Sequence, residues 1–319
     1  IAVPRVVDKF YFYINGNYHS SMYQIVDGST YNNATSKSDS HCVTLKTGFH
    51  PIRIFRNMVS LVDYKGDVHV VTQYDCLAFT KCTSASLCIF AQYGFYNALA
   101  FFGLSDVIFL SETSMDDNLF YSFQPQYRGE IKDSLKIYFC VPKQIFDGNS
   151  VVQHIINMLC TQTCVKDITV NDIISDTYWK IRLGGVYTTS LAADRYAKGC
   201  NILMSLRGVY SIDTKENIRL PEENKRDIFR IIQWMLNEYN NLKLKDNLNI
   251  RTKRINVADY IGVMYGTRLA KSIYGLSDNP RADIRSIRKA LITNPLFLVK
   301  KVSNSQLITF RNTVTDMDS

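Results

Sequence analysis

Phe10-Tyr11-Phe12-Tyr13-Ile14 followed by Asn15-Gly16 decides how the first part of this chain folds. Aromatic and β-branched residues favour the pleated, half-buried backbone of a strand, and Asn-Gly accepts the positive φ angles of a tight two-residue turn. The run therefore predicts a β-hairpin. Outward from it, the first 75 residues repeat the pattern: short runs of Val, Ile, Tyr and Phe separated by Asn-Gly, Asp-Gly and Lys-Gly, as in strands joined by turns. Ser29 to Ser40, with Asn32, Asn33, Ser36, Ser38 and Asp39 and almost nothing apolar, predicts an exposed loop.

From Ser84 onward the period changes toward helix. Leu87 to Leu110 is the most apolar stretch, but Gln92, Gly94, Asn97, Gly103 and Asp106 interrupt it too often for a bilayer helix, so it reads as core and no membrane association is expected. Ser150 with Gln153 three residues on has the form of a capping box, and Val152, Ile155, Ile156 and Leu159 then share one face of a short helix. Tyr178 to Tyr187, containing Gly184-Gly185, reads as strand or irregular structure with a glycine turn. The strongest helical stripe follows Leu220. Pro221 suits a first helical position, Glu222 and Glu223 suit the positive dipole end, and Ile228, Ile231, Ile232, Met235, Leu236 and Tyr239 repeat at helical spacing. Val257, Ile261, Met264 and Tyr265 trace another stripe, and Ile284, Ile287 and Leu291 one more before Asn294-Pro295.

At 319 residues, with 46% hydrophobic and 21% charged residues, the chain is long enough for more than one core and too apolar for general disorder. The expected class is α+β. A β-rich first part gives way to helical periods, which dominate the final third.

Charge is distributed unevenly. Residues 251–319 hold 12 Lys and Arg against 5 Asp, a net of +7, which leaves only +1 of the total +8 for the other 250 residues. A cationic segment on an otherwise neutral protein suits a phosphate-facing surface, because each cation that neutralises a phosphate releases condensed counterions. A solvated basic face has the same composition. The densest point is Arg251-Thr252-Lys253-Arg254, just before the helix expected near Val257, where arginine could fork onto phosphate oxygens while a helix start offers free amides.

No phosphate-cradling glycine loop, Gly-x-Ser-x-Gly elbow, helical His-Glu-x-x-His or cluster of two-metal aspartates occurs in the sequence. The first residues have neither a basic start nor a long apolar run, so no signal peptide is expected, and the eight cysteines suit a reducing compartment. Cys82/Cys88 and Cys160/Cys164 lack zinc-knuckle spacing and read as buried free thiols. His19, His41, His50, His69 and His154 read as surface or hydrogen-bonded core histidines, and Asp116-Asp117 as an acidic turn. A self-contained active site is not expected, and no metal or other cofactor is expected on this chain.

The order of motifs is more informative than any one of them. Arg251-Thr252-Lys253-Arg254, then Asn294-Pro295, then Ser303-Asn304-Ser305-Gln306-Leu307-Ile308-Thr309-Phe310-Arg311-Asn312 resembles the β subunit of multisubunit DNA-dependent RNA polymerases. In that family Gly-Asn-Arg-Arg opens a helix, and Ser-Ser-Gln-Leu-Ser-Gln-Phe-Met-Asp follows after a similar interval. Ser305, Gln306, Leu307 and Phe310 match in register. Ile14-Asn15-Gly16 with Gln24-Ile25-Val26, and Ala98 to Asp106, resemble two upstream stretches of the same family. The departures are also specific: the leading Gly-Asn is replaced, Arg311 and Asn312 stand where Met-Asp is common, and an Arg-Ser-Pro-Gly element is missing.

The resemblance covers the N-terminal half of β, the protrusion with the lobe inserted in it, and looks like the split β subunits of large-bacteriophage polymerases; it implies a protrusion-like β-rich part over 1–85, a lobe-like inserted mixed domain over 86–250, and a helical return to the protrusion over 251–319, leading into the fork region. It implies a non-catalytic part of the DNA/RNA-hybrid channel within a nucleotidyltransferase. Arg251, Lys253 and Arg254 would contact phosphate or an acidic neighbour, and Gln306, Phe310, Arg311 and Asn312 would line the path of the hybrid. Its partners would be β C-terminal and β′-like subunits, DNA template and nascent RNA, with Mg2+ held by the β′-like chain. It would act in the host cytoplasm during infection or be packaged in the virion. The alternative reading is a virion structural or DNA-binding interaction protein with no transcription role.

Overall fold

The computed structural model describes residues 5–7, 11–14, 17–21, 24–27, 30–34, 41–45, 51–78, 81–116, 118–127, 130–131, 136–208, 227–244, 253–256 and 299–301. Strands β1 (Arg5–Val7), β2 (Tyr11–Ile14) and β3 (Asn17–Ser21) form an antiparallel meander. Ile14 lies opposite Asn17, so Asn15-Gly16 is the two-residue hairpin connection that the sequence predicts. Strand β4 (Gln24–Asp27) leaves this sheet.

Asp27-Gly28 does not make a hairpin: the strand after it opens a second sheet. That sheet is an antiparallel meander of β5 (Thr30–Ala34), β6 (His41–Leu45), β7 (Ile52–Val62), β8 (Val68–Leu77) and β9 (Cys82–Ser84). The loop expected over Ser29 to Ser40 thus contains an edge strand at Thr30–Ala34, paired to β6 alone; a strand with one neighbour at the sheet margin does not need the apolar alternation of a central one. Residues 35–40 lie outside the described residues. Lys65-Gly66 does close a hairpin. There Asp63 accepts from the amides of Lys65 and Asp67, and Gly66 takes a φ of 93°.

Two different faces of this sheet are buried at its two ends. Ile52, Ile54, Tyr74 and Cys76 belong to one face, and Leu61 and Val71 to the other. Strand β10 (Phe109–Ser111), β14 (Tyr138–Pro142) and β11 (Phe120–Phe123) form a smaller sheet, with β12 (Gln126–Tyr127) and β13 (Glu130–Ile131) as a ribbon beside it. Helices α1 (Leu87–Tyr93) and α2 (Phe95–Phe102) fill the apolar stretch that reads as core, and Leu87, Ile89, Phe90, Phe95 and Leu99 are buried there. Residues on both sides of position 86, from β6 to α1 and beyond, belong to one buried cluster.

After α3 (Lys143–Gly148) comes α4 (Ser150–Thr163), which at fourteen residues is not short. Its N-cap is Asn149 rather than Ser150: the Asn149 side chain accepts from the amides of Val151 and Val152. Gln153 is drawn away from capping because its oxygen accepts from the Thr72 amide and its amide donates to the Phe146 carbonyl. Helix α4 thereby closes one edge of β8.

The stretch expected as strand or irregular is a helix, α6 (Asp176–Tyr187), preceded by α5 (Val170–Ile174) and followed by α7 (Ala192–Gly208). Gly184 and Gly199 explain the departure. A Cβ on Gly184 would overlap the Arg195 backbone, and one on Gly199 the Lys180 backbone, so both glycines serve close crossing of two helices rather than a turn. Helix α8 (Ile228–Asn237) carries the predicted stripe but begins seven residues after Pro221, with Asp227 accepting from the Phe229 amide as N-cap. Pro221, Glu222 and Glu223 lie outside the described residues. The short α9 (Tyr239–Lys243) continues the buried face through Tyr239 and Leu242. Arg230 of α8 stacks its guanidinium 3.8 Å from the Phe101 ring centroid and donates to the Phe101 carbonyl, joining α8 to α2. The class is α+β.

Candidate nucleic-acid interface

The basic run before residue 255 leads into a strand. Lys253 and Arg254 open β15 (Lys253–Asn256), which pairs antiparallel with β4, Lys253 opposite Asp27 and Arg254 opposite Val26. Lys253 and Arg254 are thus part of a ladder with β4 that takes up residues 253–256. The helix expected from Val257 lies outside the described residues, as do Arg251, the stripe of Ile284, Ile287 and Leu291, Asn294-Pro295, and Gln306, Phe310, Arg311 and Asn312.

A second basic strand joins it. Strand β16 (Val299–Lys301) pairs with β3, placing Lys300 opposite Ser20 and Lys301 opposite His19. Val299 faces Ser21 and Asn256 faces Gln24, and the three-residue step from Ser21 to Gln24 spans at most roughly 11 Å. The fold therefore carries Lys253-Arg254 and Lys300-Lys301 to consecutive N-terminal strands. The lysine pair belongs to no pattern of spacing; its one mark in the sequence is its position after the apolar run that starts at Leu296.

The chemistry of the described body is that of a packed interior. His154 is fully buried between two partners: the Tyr74 amide donates to Nδ1 at 3.0 Å, which leaves the proton on Nε2 to donate to the Ser86 hydroxyl at 3.0 Å. Burial lowers its pKa to about 3, so the ring is neutral at physiological pH. Burial also pushes Cys88 up to about 12 and Cys76 and Cys160 upward, away from thiolate character. Cys76, Cys88, Cys140 and Cys160 are buried thiols, whereas Cys82 is exposed and Cys164 half-buried. His69 has a partner that spacing concealed: the β7–β8 turn brings its Nε2 to 3.3 Å from Asp63 Oδ2, beneath the rings of Tyr121, Phe123 and Phe146. Asp116 forms an acidic turn, its carboxylate accepting from the Asn118 amide. Among the described residues no group of three or more His, Cys, Asp or Glu is arranged to hold a metal ion.

Comparison with protein families matches residues 1–319 to the non-virion RNA polymerase subunits. The chain belongs to this family. A search of curated proteins found no match. The polymerase subunit therefore acts in transcription, alongside other polymerase subunits and within a nucleotidyltransferase complex. Membership overturns the reading as a virion structural protein without a transcription role, and it lends no support to packaging in the virion. No helix among the described residues is long and apolar enough to cross a membrane.

Proposed function

We propose that this polymerase subunit is the N-terminal part of a β-like subunit, one wall of the DNA/RNA-hybrid channel, and that it performs no nucleotidyl transfer itself. The observation that carries the reading is the course of the chain. Strands from the C-terminal segment, β15 and β16, pair with β4 and β3, and the large sheet and its helices, from Thr30 to Lys243, lie between. A protrusion with a lobe inserted in it has this connectivity. Residues 251–319 bring the cationic excess with them.

In this role Arg251, Lys253 and Arg254 neutralise backbone phosphates, and Gln306, Phe310, Arg311 and Asn312 line the path of the hybrid near the RNA. The partners are a β C-terminal part and β′-like subunits, working on DNA template and nascent RNA in the host cytoplasm. Mg2+ is held by the β′-like partner, where paired metals stabilise the attacking and leaving oxygens of the transfer. Binding and positioning are what this chain supplies.

The test is Arg251→Ala with Arg254→Ala in the reconstituted polymerase. Loss of two phosphate contacts reduces the slope of log affinity against log salt by roughly 2 and weakens DNA binding without regard to sequence. An unchanged affinity and slope would remove these residues from the channel.

A further inference from the structure

Strand β7 is eleven residues long, and β6 covers only its first part, Ile52 to Phe55, whereas β8 pairs along its whole length. Successive residues of a strand send their N–H and C=O groups to opposite sides. The Asp63 amide donates to the Asp67 carbonyl, which continues the hydrogen-bonded positions of the β7–β8 ladder through odd-numbered residues of β7. Arg56, Met58, Ser60 and Val62 therefore address the other side, past the end of β6.

Side chains close that edge at its two ends. Gln126 accepts from the Val62 amide at 2.8 Å and donates to the Val62 carbonyl at 2.6 Å, the same two bonds that an added strand would form. The Arg56 backbone serves the Tyr239 hydroxyl. Between these ends, the amides and carbonyls of Met58 and Ser60 have no partner among the described residues. The face beside them is bare and apolar: Met58 is 55% exposed, and Val68 and Val70 are each 65% exposed. Leu61 and Val71, on the reverse face of the same ribbon, are buried, so the ribbon is anchored below and open above.

We propose that the open edge of β7 at Met58 and Ser60 receives an extended segment of another polymerase subunit as an added strand, with apolar residues at alternate positions on the face that Met58 and Val70 share. Unpaired edge amides and carbonyls select an extended backbone, and the bare apolar face selects the alternation. An edge of this kind is an aggregation hazard in a chain that works alone, but this chain belongs to a family of polymerase subunits, whose working state is an assembly. The stretch from Arg56 to Val62 is about 20 Å long, room for a strand of about five residues. The inference rests on family membership and not on the β-like reading, so either can fail without the other.

Hydrogen exchange resolved to single amides, on the isolated chain and on the assembled polymerase, tests it. In the isolated chain Val59 and Leu61 are protected by the β8 ladder, while Met58 and Ser60 exchange freely. In the polymerase Met58 and Ser60 slow by at least about tenfold, the effect of one added ladder bond on each. Ser60→Pro deletes an edge amide that the β8 ladder does not use, and Val70→Lys places a charge on the bare face. Each keeps the unfolding midpoint of the isolated chain and lowers recovery with the partner subunits by about tenfold. Unchanged exchange at Met58 and Ser60 in the polymerase, or normal recovery of both variants, overturns the proposal. Protection that rises with the concentration of the isolated chain also overturns it, by assigning the edge to a second copy.

Discussion

His154 shows how one residue type changes meaning with its surroundings. Buried against Tyr74 and Ser86 with both ring nitrogens occupied, it gives up its proton until the pH falls to about 3, whereas in the unfolded chain it takes one up near 6.5. The unfolded state thus binds more protons between these values. The native chain is fully stable with respect to this group above pH 6.5 and loses stability as the pH falls toward 3, by up to roughly 4 kcal/mol. Urea unfolding of the polymerase subunit at pH 7.5 and pH 5 measures this. The wild type weakens on acidification by more than His154→Gln does, and equal losses in the two proteins would remove His154 as the cause. The sequence allows a hydrogen-bonded core histidine at this position; it does not show that Ser86 and Tyr74, from distant parts of the chain, are the partners.

At the scale of elements, Gly184 and Gly185 are neighbours in α6 with opposite consequences. A methyl at Gly184 or Gly199 meets backbone of the crossing helix, while one at Gly185 meets only the end of the Arg195 side chain at 3.7 Å. Gly184→Ala and Gly199→Ala each destabilise by about 1–3 kcal/mol, because the helices must separate. Gly185→Ala is neutral or stabilises by up to about 1 kcal/mol through better helix propensity. Urea midpoints of the three variants check this, and similar midpoints for Gly184→Ala and Gly185→Ala would show that the crossing is not set by glycine. The same pair accounts for the misreading of Tyr178 to Tyr187. Locally, Gly-Gly after aromatic and β-branched residues reads as a turn between strands; the reason for it lies in the Arg195 backbone, which only the packing of α6 on α7 brings to Gly184. The stripe from Ile228 to Leu236 was legible because its cause, burial of one helical face, repeats within the helix itself.

For the whole molecule, the buried cluster of the described residues runs from Val43 to Leu242. Deleting residues 251–319 removes β15 and β16 and uncovers the partner edges of β4 and β3. The truncated chain therefore scatters more light than the full chain at the same concentration, because bare strand edges pair between copies. Light scattering against concentration is the measurement, and equal scattering from the two chains would mean that these edges stay covered without the returning strands. The candidate interface was legible only as charge: the excess in residues 251–319 is a property of composition, but the arrival of Lys253-Arg254 on β4 and of Lys300-Lys301 on β3 is a product of pairing across more than two hundred residues.

By itself the sequence determined what depends on neighbours along the chain: the Asn15-Gly16 hairpin, the apolar core from Leu87, the stripe of α8 and the location of the positive charge. Turn geometry, helical period and net charge act over a few residues and leave their marks locally. The tertiary structure decided what depends on residues meeting from afar: the crossing of α6 and α7, the partners of His154, the return of β15 and β16 to the first strands, and the edge of β7 at Met58 and Ser60 that has no partner among the described residues. These are set by which surfaces remain to be covered once the chain has collapsed, and no short window of sequence contains that information.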